Sequence, residues 1–165
     1  MREILLSILL AVALVGSVKA QEMTGPAAEQ AKQEVLKLET EKFGGQFKAG
    51  SSHEKWFESH NDPDGVVARA DGGIDSRAQH LEMLRSVVQT PPISMKQYDH
   101  HISIFENGNV AMVVYKIDAQ FTWEPHPVQD TAEDIWIKEN GSWRRILHSV
   151  HRIMNMGGGA YGATD

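Results

Sequence analysis

Asn140-Gly141, set between two runs that alternate apolar and polar residues, constrains this chain more than any other feature. A two-residue hairpin loop of type I′ needs positive φ at both central positions, and Asn-Gly meets that need well. The stretch from Asp130 to Arg152 is therefore expected to fold back on itself as two antiparallel strands. A hairpin this late, in a chain whose earlier half has helical spacing, places helices first and a sheet second. That order is α+β.

Met1 to Ala20 stands apart from the rest. Arg2 gives a small positive start, Ile4 to Val15 is apolar apart from Ser7, and Val18-Lys19-Ala20 ends in the small residue a signal peptidase requires. The run is shorter than the roughly 20 apolar residues that span a bilayer, so residues 1–20 read as a cleaved secretory signal. A secreted or periplasmic protein is the expectation, with no membrane contact after cleavage. The chain has no cysteine. That excludes lipid attachment through cysteine, thiol catalysis and a disulfide framework, so the core must supply the stability. Loss of Arg2, Glu3 and Lys19 leaves the chain one unit more acidic than its full-length charge of −6. An acidic surface argues against nucleic acid and anionic membranes as partners.

Residues 21–26 read as a flexible lead, and residues 27–153 as one domain. Ala28, Ala31, Val35, Leu36, Phe43 and Phe47 recur at helical spacing, with Gly44-Gly45 weakening the helix near its end. Ser51 to Glu54 has the spacing of a capping box and starts a short second helix with Trp56 and Phe57. Asn61-Asp62-Pro63-Asp64-Gly65 is a turn, Val66 to Ala68 a short strand, and Asp71-Gly72-Gly73 a second turn. Asp75 or Ser76 caps a third helix carrying Leu81, Leu84 and Val88, and Thr90-Pro91-Pro92 stops it. Strands are then expected over 93–106 and 110–123, joined at Asn107-Gly108, before the closing hairpin. Residues 154–165, rich in glycine, read as a disordered tail.

The 110–123 strand separates into two faces. Ala111, Val113, Tyr115, Ile117, Ala119, Phe121 and Trp123 make one apolar face; the other begins with Val110, Met112 and Val114 and then turns polar. The first face lies against helices or a cavity. The second is half apolar, as where a sheet meets a second copy of itself.

This order of elements, ending in Asp134-Ile135-Trp136 and Trp143 with His148 or His151 beyond, resembles the nuclear-transport-factor-2-like superfamily. The likeness is strongest to its SnoaL-like and kinase-association-domain-like bacterial branches, mostly of unassigned function. Lys48-Ala49-Gly50 after the first helix and Ala70-Asp71-Gly72 after the first strand are the other landmarks. The resemblance implies a strongly curved antiparallel sheet roofed by helices, a cone-like or cystatin-like roll with an apolar cavity, and a homodimer formed through the sheet back. It also implies that members with activity place a carboxylate base in the cavity, at the position Asp71 matches. Where the steroid-isomerase branch has a tyrosine donor, this chain has Phe43, which donates no hydrogen bond.

Each candidate residue carries two readings. Asp71, before two glycines, is either a turn aspartate or a cavity base. Asp134 is either an inward polar handle or a solvent-facing rung. Tyr115, Phe121, Trp123, Trp136 and Phe43 are either plain core or the lining of a ligand site. His148 and His151 fall on opposite strand faces at an offset of three, so they do not share a metal ion, and one of them is a candidate cavity base or hydrogen-bond partner. His100-His101 meets the same objection. No metal or cofactor is expected, and no nucleophile elbow, phosphate loop or dinucleotide fingerprint is present. The leading expectation is an exported protein that binds a small apolar molecule. The alternatives are a cofactor-free SnoaL-like enzyme with Asp71 as base and His148 or His151 assisting, and a homo-oligomeric assembly module.

Overall fold

The computed structural model describes residues 21–46, 50–87, 92–123 and 126–155, with the backbone alone described at 43–46, 50–53, 86–87 and 153–155. The expected signal segment lies outside the described residues, as does the tail from residue 156 on. Helix α1 spans Pro26–Gln46 and begins with proline at its first position, where the missing N–H costs nothing. Ala28, Ala31 and Val35 form its buried stripe. Helix α2 spans Gly50–His60 and buries Trp56 and Phe57. Helix α3 spans Arg77–Val87. Its start is a capping box: the Gln79 backbone N–H donates to Ser76 Oγ at 3.4 Å, and Ser76 N–H donates to Gln79 Oε1 at 2.9 Å.

Six strands form one sheet: β1 (Asn61–Ala68), β2 (Ile74–Ser76), β3 (Ser94–Phe105), β4 (Val110–Gln120), β5 (Val128–Glu139) and β6 (Ser142–Asn155). They lie in the order β2-β1-β6-β5-β4-β3, antiparallel except for the β1–β6 pair. The β5–β6 loop has φ of 50° at Asn140 and 79° at Gly141, the positive pair that its sequence requires. β6 runs to Asn155, slightly beyond the expected domain boundary. Asn61 to Gly65, expected as a turn before β1, is instead a bulge within it. The pairing jumps from Asn61–Arg145 to Val66–Leu147, and Asp62 Oδ1 accepts the Asp64 N–H at 2.9 Å.

Along β4 burial alternates as its two faces require: Ala111, Val113, Tyr115, Ile117 and Ala119 are buried, and Met112 is exposed on the other side. The strand ends at Gln120 rather than Trp123. Its β3 partner starts at Ser94, paired with Gln120, so nothing continues the ladder. Two bulges bend the sheet where it matters for the site. Asp99 adopts φ of 53° where the β3–β4 register slips between Tyr98 and His101. On β6, Ile135 pairs with Leu147 but Trp136 pairs with Arg145, leaving Ile146 as an extra residue. That extra residue breaks the alternation of β6, so Arg145 and His148 are both buried.

Candidate functional site

The buried stripe of α1 changes character along its length. After Ala28, Ala31 and Val35 the same helical register continues through Glu39 and Lys42, both buried. They meet Tyr115 from β4, Asp134 and Trp136 from β5, and Arg145 and His148 from β6. Asp134 is the centre. Its Oδ2 accepts from Lys42 Nζ at 2.9 Å and from Tyr115 Oη at 3.0 Å. Its Oδ1 accepts from Arg145 Nη1 at 3.2 Å and lies 2.7 Å from His148 Nδ1. Arg145 Nε donates to Asn61 Oδ1 at 2.8 Å, and the guanidinium stacks 5.3 Å from the Trp56 ring centre. The Trp136 indole donates to Glu39 Oε1 at 2.8 Å, while Glu39 Oε2 has no hydrogen-bond partner among the described residues.

This packing moves the ionisations in different directions. Burial pushes Glu39 up to about 8, aided by the Asp134 charge and opposed by Lys42 and Arg145. Burial would raise Asp134 too, but Lys42, Arg145 and His148 together hold it well below the carboxylate range. Lys42 is pulled down by burial and by the Arg145 charge, against Asp134 and Glu39. Burial and then the Lys42 charge bring His148 down to about 4, despite its contact with Asp134. The imidazole is therefore neutral at pH 7. Facing an ionised carboxylate, it donates through Nδ1–H and keeps its lone pair on Nε2. Burial also drives the Tyr115 hydroxyl well above its ordinary value, so it acts as a donor.

Lys42, Arg145 and His148 form one end of a pocket of about 280 Å³. Val67, Leu84, Met95, Ile117, Phe121 and Val150 contribute its apolar wall, and Arg69, Arg152 and Trp123 are also among its lining residues. Trp123 is 53% exposed and stacks on Phe121 at 4.7 Å between ring centres. The volume is close to the lower end of the roughly 300–1,000 Å³ usual for small-molecule sites.

Of the candidates read from sequence, His148, Phe121 and Trp123 line this pocket. Asp134, Tyr115 and Trp136 lie buried behind its polar end and hold the lining residues in place. His151 is exposed, its Nε2 2.9 Å from Ser149 Oγ. The Phe43 side chain lies outside the described residues. Asp71 is corrected. Its carboxylate is 67% exposed, accepts the Gly73 N–H at 2.9 Å and stands 3.3 Å from Arg69 Nε. The aspartate closes the turn that Gly72 makes at φ 85°, and a carboxylate so hydrated is no cavity base. Glu39, Lys42 and Arg145 escaped the sequence reading. The first two stand at the i+4 and i+7 positions from Val35, a signal that was present; Arg145 depends on the Ile146 bulge, which no local pattern announces.

A curled six-stranded sheet, helices on its concave side and a pocket between them define the nuclear-transport-factor-2-like, or cystatin-like, fold. No protein-family profile and no curated protein matches the sequence. Solved structures do match. An NTF2-like protein from Cytophaga hutchinsonii, 14% identical, aligns over 74% of this chain and 98% of its own with a TM-score of 0.63. An NTF2-like protein of unknown function from Pseudomonas putida, 10% identical, covers 78% and 90% at 0.64. An uncharacterized protein with a cystatin-like fold from Caulobacter vibrioides, 13% identical, covers 76% and 91% at 0.64. Such likeness establishes the fold, with the α+β roll the sequence led us to expect.

Proposed function

We propose that this chain is an exported binder of a small, largely apolar molecule, held in the pocket beneath the helices. The observation that carries the reading is a largely apolar pocket wall with Lys42, Arg145 and His148 brought together at one end from α1 and β6, and a few further polar side chains, Arg69, Asp130 and Arg152 among them, elsewhere in the lining. Ligand sites have that composition: hydrophobic lining for affinity, a few fixed polar groups for orientation. The Asp134 cluster supports it further, because a buried carboxylate hydrogen-bonded at both oxygens holds its partner side chains in one geometry at some cost to stability. Export is supported by the Arg2, Ile4–Val15 and Ala20 pattern. Native mass spectrometry of the purified protein tests the binding: a retained apolar molecule, lost when Ile117→Asp is introduced, is expected. Empty protein that gains no thermal stability from any member of a lipophile panel would contradict the proposal.

One observation favours a cofactor-free enzyme as the second reading. The 2.7 Å contact with Asp134 fixes the His148 ring, and Nε2 has no hydrogen-bond partner among the described residues. A carboxylate-oriented imidazole at a pocket wall is a general-base arrangement. An imidazole whose conjugate acid titrates at about 4 is, however, a weak base. Binding therefore ranks first. Deuterium wash-in at the α-carbon of 2-octanone, abolished by His148→Gln, would reverse that order.

A further inference from the structure

We infer that the pocket takes an amphipathic monocarboxylate, with its carboxylate against Arg145 and Lys42 and its apolar body along Leu84, Ile117 and Phe121. The inference rests on the binding reading above and names the class of ligand. Its first ground is charge. The whole chain is acidic at −6, yet the charged side chains lining the pocket among the described residues are Lys42, Arg69, Arg145 and Arg152 against one acid, Asp130. Asp130 itself is 2.5 Å from Arg152 Nε.

The second ground is how Asp134 spends its oxygens. Oδ1 is shared by Arg145 and His148, and Oδ2 by Lys42 and Tyr115. One carboxylate thus stands between two buried cationic side chains, and the Arg145 charge pulls Lys42 down. The other carboxyl group described beside them, Glu39, is protonated for most of its population at neutral pH and adds little negative charge to the pair. A second anion, entering from the pocket, would supply it.

The third ground is geometric. Arg145 uses Nε on Asn61 and Nη1 on Asp134, and its Nη2 makes no hydrogen bond among the described residues although the residue is 2% exposed. A guanidinium edge with a spare donor suits a planar carboxylate better than any neutral group. A monoanion also fits this small pocket at lower desolvation cost than a phosphate dianion. Val67, Leu84, Met95, Ile117, Phe121 and Val150 supply most of the remaining wall, so the body of the ligand is hydrocarbon or aromatic rather than a sugar or peptide.

Octanoate and 1-octanol are the probes, matched in chain and differing in headgroup, titrated calorimetrically into the purified protein at pH 7.5. Octanoate is expected to bind at least tenfold more tightly. Lys42→Met should shrink the gap and Lys42→Arg should preserve most of it. Should Lys42→Met fail to fold, the His148 ring titration of the unmodified protein serves instead: octanoate must raise its pKa, because the bound carboxylate adds a negative charge beside the imidazole and offsets Lys42 and Arg145; an unchanged midpoint would overturn the placement. Equal affinity for acid and alcohol would overturn the carboxylate assignment and leave the pocket reading intact. Binding of neither would take down both.

Discussion

Glu34 and Glu39 sit little more than one turn apart on α1, and each accepts a tryptophan indole with a lysine nearby. Glu34 Oε2 accepts the Trp143 indole at 2.9 Å and Lys138 Nζ at 2.7 Å. Glu39 Oε1 accepts the Trp136 indole at 2.8 Å, with Lys42 Nζ 3.7 Å from Oε2. Their ionisations nonetheless diverge. Hydrogen bonds from Lys138 and Trp143 bring Glu34 down to about 2, whereas burial beside Asp134 takes Glu39 up to about 8. The indole is common to both, but Lys138 hydrogen-bonds Glu34 whereas Lys42 spends its bonds on Asp134 and Tyr115. Water makes the rest of the difference. Glu34 stays partly hydrated and makes a surface clasp over the hairpin, while Glu39 has lost its solvent and gained an anionic neighbour. One helix thus carries a hydrated anchor and, little more than a turn further on, a buried polar cluster.

The contrast breaks most visibly at Asp134. Asp134→Asn strips the shared counter-ion from Lys42 and Arg145 and should cost about 3–5 kcal/mol in chemical denaturation, the range for breaking a buried ion pair. Glu34→Gln, at the hydrated clasp, should cost less than about 1 kcal/mol. Similar losses at both sites would erase the distinction. Next in size is the indole donor: Trp136→Phe leaves Glu39 Oε1 unpaired in a dry site and should cost about 1–3 kcal/mol. Trp143→Phe, whose acceptor water can reach, should cost visibly less in the same urea titration.

The two glutamates also predict pH profiles of opposite sign. Between the ordinary 4.5 and about 8 the native state keeps a proton on Glu39 that the unfolded chain has released, so this site makes stability fall as pH rises through that window. Between 4.5 and about 2 the native state has lost from Glu34 a proton that the unfolded chain binds, so this site makes stability fall as pH drops. Urea midpoints measured across pH should show Glu39→Gln flattening the alkaline slope and Glu34→Gln the acid one. Smallest of all, Asp71→Asn should change stability by no more than about 0.5 kcal/mol and leave octanoate binding unaltered. A binding loss there would return Asp71 to the pocket.

The sequence disclosed the roll far better than the site. Asn140-Gly141, the alternation of β4 and the apolar spacing of α1 are local patterns, and local patterns survive folding. Asp134 and His148 were visible as candidates because a carboxylate and an imidazole stand out on apolar strands. What joins them is not local. The Ile146 bulge shifts the parity of β6, so Arg145 and His148 share the concave face against the strict alternation that separates His148 from His151. Asp71 misled for the converse reason: the family position suggested a base, while Gly72 and Gly73 beside it already described a turn. Glu39 and Lys42 were passed over because charged residues on an amphipathic helix ordinarily face water, yet their register with Val35 pointed inward.

Nitrogen-resolved NMR titration of the His148 ring probes the Asp134 cluster most directly. At neutral pH the account predicts an uncharged imidazole protonated on Nδ1, with a midpoint near 4. A ring that titrates near its ordinary 6.5 would mean that it is not buried beside Lys42, and one that carries its proton on Nε2 would mean that Asp134 does not orient it; either result would contradict the polar end of the pocket described here.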